Sequence, residues 1–377
     1  MSTRVKIPPK TLVWATERSG LSIDSLFEVY PKALDWIREE SEPTVKQLES
    51  FAKKIHVPFG FLFLNKPPEE KLPITFYRSN GKVVDNPPLV VKDLVNQIKS
   101  KQEWLKDFLL DNNYDELGFI GSLKNFESID IVEGAKIIRN ALKFNITWYE
   151  ETKKDKSFRY WIDAIEKNRI FIISTGFVSN NKRTVDVDVC KGFTLVDNFC
   201  PFLYINTNNL GGGRIFTLIH ELVHVFVGSS IGIGYEPIHP SSQPLEKFCD
   251  SVASEILVPE SFFRVTWKSN SGSPFDKFSI IANQFHVSKL VIAKKALDCK
   301  FIPKSVYWDF YNFYVKSFEK KKNSDEGNFW NSKPYEVSRK FYSFVDTALQ
   351  QGKILPSNAY KLTNMNANTY DNFKKNS

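Results

Sequence analysis

The stretch that decides the fold is "RIFTLIHELVHVF", residues 214–226, because its apolar residues recur with the period of an α-helix. At about 100° per residue, these apolar side chains cover one side of the predicted helix and face a core. His220 and His224 lie on the other side, about 40° apart, and Glu221 lies just beyond them. Since the chain has only five histidines, this pair indicates a chemical role for the polar side.

Two imidazoles and one carboxylate in HExxH spacing are typical of a zinc site. Zn²⁺ binds neutral imidazole nitrogen in a tetrahedral shell, and a catalytic site keeps one position free for water. The intervening glutamate points past the metal, where it can take a proton from water. The pattern therefore predicts His220 and His224 as zinc ligands and Glu221 as the general base.

A third protein ligand is needed, and the next predicted helix, "PLEKFCDSVASEILVP", supplies candidates in Glu246, Glu255 and Glu260. On a helical wheel, Glu246 and Asp250 share one edge of the apolar stripe, whereas Glu255 lies on the other edge. We expect Glu246 to be the ligand and Asp250 to hydrogen-bond the second nitrogen of a ligand histidine. Two alternatives stay open: a structural histidine pair satisfied by backbone carbonyls, and a degenerate site that binds metal without turnover.

The composition is that of a folded, multidomain chain of 377 residues, with 42% hydrophobic and 14% aromatic residues. The net charge of +8 permits an acidic partner such as nucleic acid, but the scattered lysines fit a solvated basic surface equally well. The four cysteines form no CxxC pair, and the N-terminal "MSTRVKIPPK" lacks an apolar signal core. With no apolar stretch long enough for a membrane span, we expect a cytoplasmic protein without membrane contact.

The pattern of elements predicts an α+β fold that is mostly helical, with a small β-sheet packed on the HExxH helix. Three β-type runs precede that helix, at residues 169–175, 190–197 and 201–207. The chain is predicted to divide into a helical module, a linker with a long helix, a mixed core and a helical C-terminal region, at residues 1–66, 67–127, 128–304 and 305–377.

An extended substrate is expected to bind as an added strand, and "PFLYINT" (201–207) is our candidate edge strand. A loop rich in Gly, Ser and Pro, residues 228–244, follows the HExxH helix. It contains Tyr235 and His239, our candidate second donors to an oxyanion, with packing inside the loop as the alternative for both.

The motifs "FTLIHELVHVFVG", "GFTLVDNFCPFLYIN", "EKFCDSVASEILVP" and "IANQFHVSKLVIAKKALDCKFI" resemble the ImmA/IrrE family of zinc metallo-endopeptidases. The N-terminus resembles an Xre-type helix-turn-helix module, so the resemblance extends over nearly the whole chain. It implies a zincin-like core, a Zn²⁺ cofactor, His220, His224 and Glu246 as ligands, and Glu221 as general base. It also implies cleavage of a repressor-like protein, in phage, mobile-element, stress-response or toxin–antitoxin regulation.

The N-terminal module departs from the helix-turn-helix pattern. The stretch "LSIDSLFEVYPKALDWIREESEPT" is a few residues short, and Pro31 falls at the turn into the expected recognition helix. Arg38 and Lys46 are candidate phosphate contacts, with solvated surface as the alternative. A second function therefore stays open: an antitoxin- or regulator-like protein that sequesters a partner protein or DNA, with a structural or vestigial zinc site.

Overall fold

The structure, a computed structural model, describes residues 3–19, 25–26, 28, 30–68, 72, 74–77, 87–178, 183–187, 189–208, 213–233, 244–319 and 336–376. Helices predominate in these residues and the strands form a small mixed sheet, which confirms the predicted mostly helical α+β class. The chain divides into two compact units, Met1–Leu72 with Pro87–Asp93 and Pro73–Asn86 with Leu94–Ser377. The four segments inferred from the sequence stay a prediction.

The helices that the structure describes are, in chain order, α1 (Pro9–Arg18), α2 (Ala33–Ile37), α3 (Val45–Lys54), α4 (Leu89–Asp111), α5 (Ile131–Leu142), α6 (Ser157–Glu166), α7 (Gly213–Val227), α8 (Pro244–Leu257), α9 (Glu260–Ser269), α10 (Pro274–Gln284), α11 (Lys289–Asp298), α12 (Lys304–Glu319), α13 (Arg339–Gln350), α14 (Pro356–Thr363) and α15 (Ala367–Asn376). The strands are β1 (Thr75–Tyr77), β2 (Phe171–Ser174), β3 (Phe177–Val178), β4 (Arg183–Thr184), β5 (Gly192–Leu195), β6 (Phe202–Ile205) and β7 (Ile231–Ile233). Among the described residues, none of these helices is long and apolar enough to cross a membrane.

The smaller unit is a helical module with its own apolar core. Helix α3 begins after Thr44, whose side chain forms a reciprocal capping box with Gln47. Helix α2 has only five residues and contributes Trp36 to the core. The buried apolar side chains of this core include Leu12, Ala33, Trp36, Leu48 and Phe51.

The five-stranded sheet of the larger unit has the order β1-β7-β5-β6-β2. Strand β5 pairs antiparallel with β6 and with β7, while β2–β6 and β1–β7 are parallel pairs. The three predicted β-type runs correspond to β2, β5 and β6. The prediction of an edge strand at residues 201–207 is wrong, because β6 is hydrogen-bonded to β5 on one side and to β2 on the other.

Alternating residues of the sheet face two different helical layers. Leu203 and Ile205 of β6 belong to the same apolar core as the HExxH helix α7. Phe202, which precedes Leu203, and its neighbour Phe171 on β2 face the opposite way, onto Phe341 and Phe344 of α13. The sheet is therefore covered on both faces, as its fully buried strands require.

Helices α7, α8 and α5 form the layer that carries the polar motifs. Helix α8 packs along α7, and α5 packs on α8 at Gly134, which lies against Phe248 and Val252. The N-terminus of α5 is capped by Asp130. At the other end of α8, the guanidinium of Arg139 donates to the carbonyl of Glu255. These contacts fix α8 against α5.

Candidate metal centre

His220 and His224 lie one turn apart on α7 and face α8. Their spacing of four residues puts both rings on one side of the helix, as predicted. Both are buried, with 4% and 0% of their surface exposed, because α8 covers the side of α7 that faces away from the sheet. Polar groups buried in this way need partners of matching charge.

Three side chains converge between α7 and α8. The Nε2 atoms of His220 and His224 lie 3.1 Å apart. Glu246 Oε2 lies 3.2 Å from Nε2 of His220, and Glu246 Oε1 lies 3.5 Å from Nε2 of His224. Each of the three residues has one potential ligand atom that lies within 4.8 Å of those of the other two. The described residues contain no other group of this kind.

Asp250 contacts the remaining ring nitrogen of His220. Its Oδ1 lies 2.8 Å from Nδ1 of His220, so the carboxylate accepts the Nδ1 proton, and in the neutral ring Nε2 then keeps the lone pair. Glu246 and Asp250 are one turn apart on α8, which lets one helix supply both carboxylates. On the other ring, the Sγ of Cys249 lies 3.7 Å from Nδ1 of His224.

This donor set fits a divalent metal ion such as zinc. An imidazole lone pair, a second Nε2 and a carboxylate point at one another, and they repel unless a proton or a cation lies between them. Glu246 Oε1 is also buried without a hydrogen-bond partner in the described part of the chain. Two imidazoles and one carboxylate are also the ligand types of catalytic zinc sites.

Without metal, a proton serves as that cation. Burial disfavours charge on His220, but its hydrogen bonds to Asp250 and Glu246 outweigh burial and raise its pKa well above the usual value. Burial would raise the pKa of Glu246, yet its hydrogen bond with His220 and the nearby His224 ring lower the pKa instead. Metal binding therefore has to displace this proton, as is usual for histidine sites.

Glu221 lies on a different side of α7 and faces strand β5. It is fully buried, and burial raises its pKa although the charges of His224 and His220 oppose the shift. Its carboxylate contacts Thr194 and Gly192 of β5. Neither residue was predicted from the sequence, where the signal was a glycine and a threonine two positions apart in an otherwise apolar strand.

The remaining candidates lie elsewhere. Glu255 forms a buried ion pair with Lys295 at 2.7 Å and accepts hydrogen bonds from the backbone nitrogen of Glu260. The side chain of Glu260 pairs with Arg264 on α9. The candidate oxyanion donors Tyr235 and His239 lie outside the described residues.

Residues 178–297 match the model of the Peptidase_M78 family, described as the IrrE N-terminal-like domain. The match covers about a third of the chain and includes α7, α8 and the strands β5 and β6. No curated protein and no solved structure matches the chain. The family match supports the ImmA/IrrE resemblance and indicates a peptidase of the metallopeptidase type.

Proposed function

We propose that the protein is a zinc-dependent metallo-endopeptidase of regulatory type. The observation that carries the proposal is the convergence of His220, His224 and Glu246 inside the region matched to a peptidase family, with Glu221 next to the first histidine. In this proposal the three converging residues hold the metal, and Asp250 fixes the tautomer of His220 through its Nδ1 proton.

Glu221 is the proposed general base. A bound zinc ion would supply Lewis acidity, which lowers the pKa of water and polarises the scissile carbonyl. The Oε1 atom of Glu221 has no hydrogen-bond partner among the described residues, so it can take the proton from the attacking water. The same atom then delivers that proton to the leaving amine. The apolar surroundings of α7 exclude competing water from this carboxylate.

The proposed substrate is a repressor- or antitoxin-like protein in phage, mobile-element, stress-response or toxin–antitoxin regulation. This part of the proposal is supported by the family resemblance. The proposed location is the cytoplasm, and four buried, free cysteines support a reducing compartment. DNA binding by the N-terminal module stays a prediction. Arg38 and Lys46, the candidate phosphate contacts, are both exposed, as such a role requires.

A digestion experiment tests the proposal without knowledge of the substrate. The full-length chain loaded with zinc is incubated with a proteome-derived peptide library, and new peptide ends are identified by mass spectrometry. We expect the wild type to produce new ends and Glu221→Gln to produce none while keeping its bound zinc. Glu246→Ala should lose the zinc itself, because the metal loses its only carboxylate ligand.

Glu260→Gln is the matched control, since this carboxylate is partly exposed and pairs with Arg264 of its own helix. It should keep both zinc and cleavage. Equal cleavage by the wild type and Glu221→Gln would show that the activity arises elsewhere. Stable zinc binding with no new peptide ends from the wild type, on the library or on intact proteins, would favour the binding-protein function instead.

A further inference from the structure

Strand β5 presents two small residues to Glu221. Gly192 and Thr194 are two positions apart and face the side of the sheet that packs on α7. Thr194 is fully buried, and its Oγ1 lies 2.6 Å from Oε2 of Glu221 and 3.0 Å from the Glu221 carbonyl oxygen. Thr194 of β5 therefore contacts both the carboxylate and the backbone of Glu221.

The hydroxyl of Thr194 has one proton and two nearby acceptors. The Glu221 carbonyl already accepts within helix α7, whereas Oε2 needs a donor in this buried site. The separation of 2.6 Å is typical of a hydroxyl donating to a carboxylate. Thr194 therefore donates to Oε2, which leaves Oε1 as the one carboxylate oxygen that is free to accept a proton.

Gly192 leaves the space that Oε1 occupies. A Cβ atom at this residue would lie 2.9 Å from Glu221 Oε1 and 2.9 Å from the backbone oxygen of Tyr204. It would also lie 3.1 Å from Cγ2 of Thr217, one turn before Glu221 on α7. Any side chain larger than hydrogen would push the carboxylate out of its place or force β5 away from β6.

We propose that Thr194 and Gly192 are positioning residues for Glu221, which hold its carboxylate so that Oε1 faces the reacting water. The inference rests on the proposed function, because it assigns how the general base is oriented. Thr194 fixes the side-chain rotamer through Oε2, and Gly192 allows the close approach. Neither residue touches the substrate or the metal in this proposal.

The test compares Thr194→Val, which keeps the shape of the side chain, with Thr194→Ser, which keeps the hydroxyl. Thr217→Val is the matched control, because within the described part of the chain the Thr217 hydroxyl donates to the Gly213 carbonyl of its own helix. On a peptide cleaved by the wild type, Thr194→Val should lower kcat by roughly 10- to 100-fold with little change in KM. Thr194→Ser should restore most of kcat, and Thr217→Val should match the wild type.

A second readout needs no substrate. With Co²⁺ in place of zinc, the visible absorption of the metal is followed from acid to alkaline pH. Glu221→Gln should move the midpoint of this profile, and Thr194→Val should move it in the same direction, whereas Thr194→Ser and Thr217→Val should leave it in place. Circular dichroism of each variant verifies that the fold is intact.

Gly192→Ala probes the close approach independently, with Gly118→Ala as its control, because a Cβ at Gly118 meets nothing within 4 Å. Gly192→Ala should lose kcat as Thr194→Val does, and Gly118→Ala should not. If Thr194→Val keeps the wild-type kcat and the wild-type Co²⁺ profile while Glu221→Gln changes them, the positioning role is refuted. If Glu221→Gln changes neither, the proposed function has failed instead.

Discussion

Asp250 shows how a single carboxylate outside the ligand set controls a metal ligand. It accepts the Nδ1 proton of His220 at 2.8 Å and so determines which ring nitrogen keeps its lone pair. His224 has a weaker counterpart in Cys249, whose sulfur lies 3.7 Å from its Nδ1. The orientation of His220 therefore depends more on Asp250 than the orientation of His224 depends on Cys249.

Asp250→Ala should weaken zinc binding about 10- to 100-fold, because the His220 ring loses both its tautomer preference and its orientation. Competition with a chromophoric chelator measures this change. Asp298→Ala serves as the control, since Asp298 makes an exposed pair with Lys294 one turn away. Affinities that agree between Asp250→Ala and the wild type would exclude the orienting role.

The sequence predicted which site residues share a helix face, because the spacing of four residues suffices for that. His220 with His224 and Glu246 with Asp250 both follow from it, and the structure brings these pairs together. Thr194 could not be found in this way. Its contact with Glu221 depends on how β5 lies against α7, and neither residue's local pattern encodes that placement.

Among the elements, the positions of the strands along the chain were predicted more accurately than their pairing in the sheet. The four consecutive apolar residues of β6, FLYI, are typical of an interior strand, and this sequence signal argues against an edge position. Strand β7 follows within a segment that the sequence indicates as a loop. Its three residues pair with β1, which comes from a distant part of the chain.

Glu166 joins three elements at one buried carboxylate. It ends α6 and accepts hydrogen bonds from the backbone nitrogens of Ile172 at 3.3 Å and Lys340 at 3.4 Å, next to Ser338 at the start of α13. Only 5% of its surface is exposed. Burial raises the pKa of Glu166 to about 7, although the hydrogen bond with Ser338 opposes the shift.

This pKa predicts a specific pH dependence of stability. Because the folded-state pKa lies above that of the unfolded chain, Glu166 contributes stability that is fully present below about pH 4. That contribution falls as the pH rises through about 7 and is then lost. Glu166→Gln should remove this dependence. As the pH rises over that range, the free energy of unfolding of the wild type should fall relative to that of Glu166→Gln by on the order of 3 kcal/mol.

Urea unfolding at a series of pH values measures the difference between the two proteins. Glu133→Gln is the control, because Glu133 is exposed and pairs with Lys136 on the same helix. The difference in free energy of unfolding between Glu133→Gln and the wild type should not change over the same series of pH values. A flat difference for Glu166→Gln as well would mean that Glu166 has the same pKa in the folded protein as in the unfolded chain.

At the scale of the whole molecule, the C-terminal helices complete the larger unit. Phe341 of α13 packs against Phe202, so α13 covers the face of the sheet opposite the HExxH helix. Phe341 also contacts Trp104 of helix α4. Helix α15 packs on α13 through Tyr370 and Phe373, which both contact Tyr342. The sequence predicted a helical C-terminal region but could not tell which surface these helices cover, because a helical period identifies a buried face and not its partner.

Metal binding should stabilise only the larger unit, since His220, His224 and Glu246 all belong to it. A ligand that binds the folded state alone at a thousandfold excess over its Kd adds about 4 kcal/mol. In calorimetry, zinc should therefore raise the unfolding temperature of one transition and leave that of the smaller unit unchanged, and EDTA should reverse the rise. His224→Ala, which removes one ligand, should show no rise; an equal rise in this variant would place the bound zinc at another site.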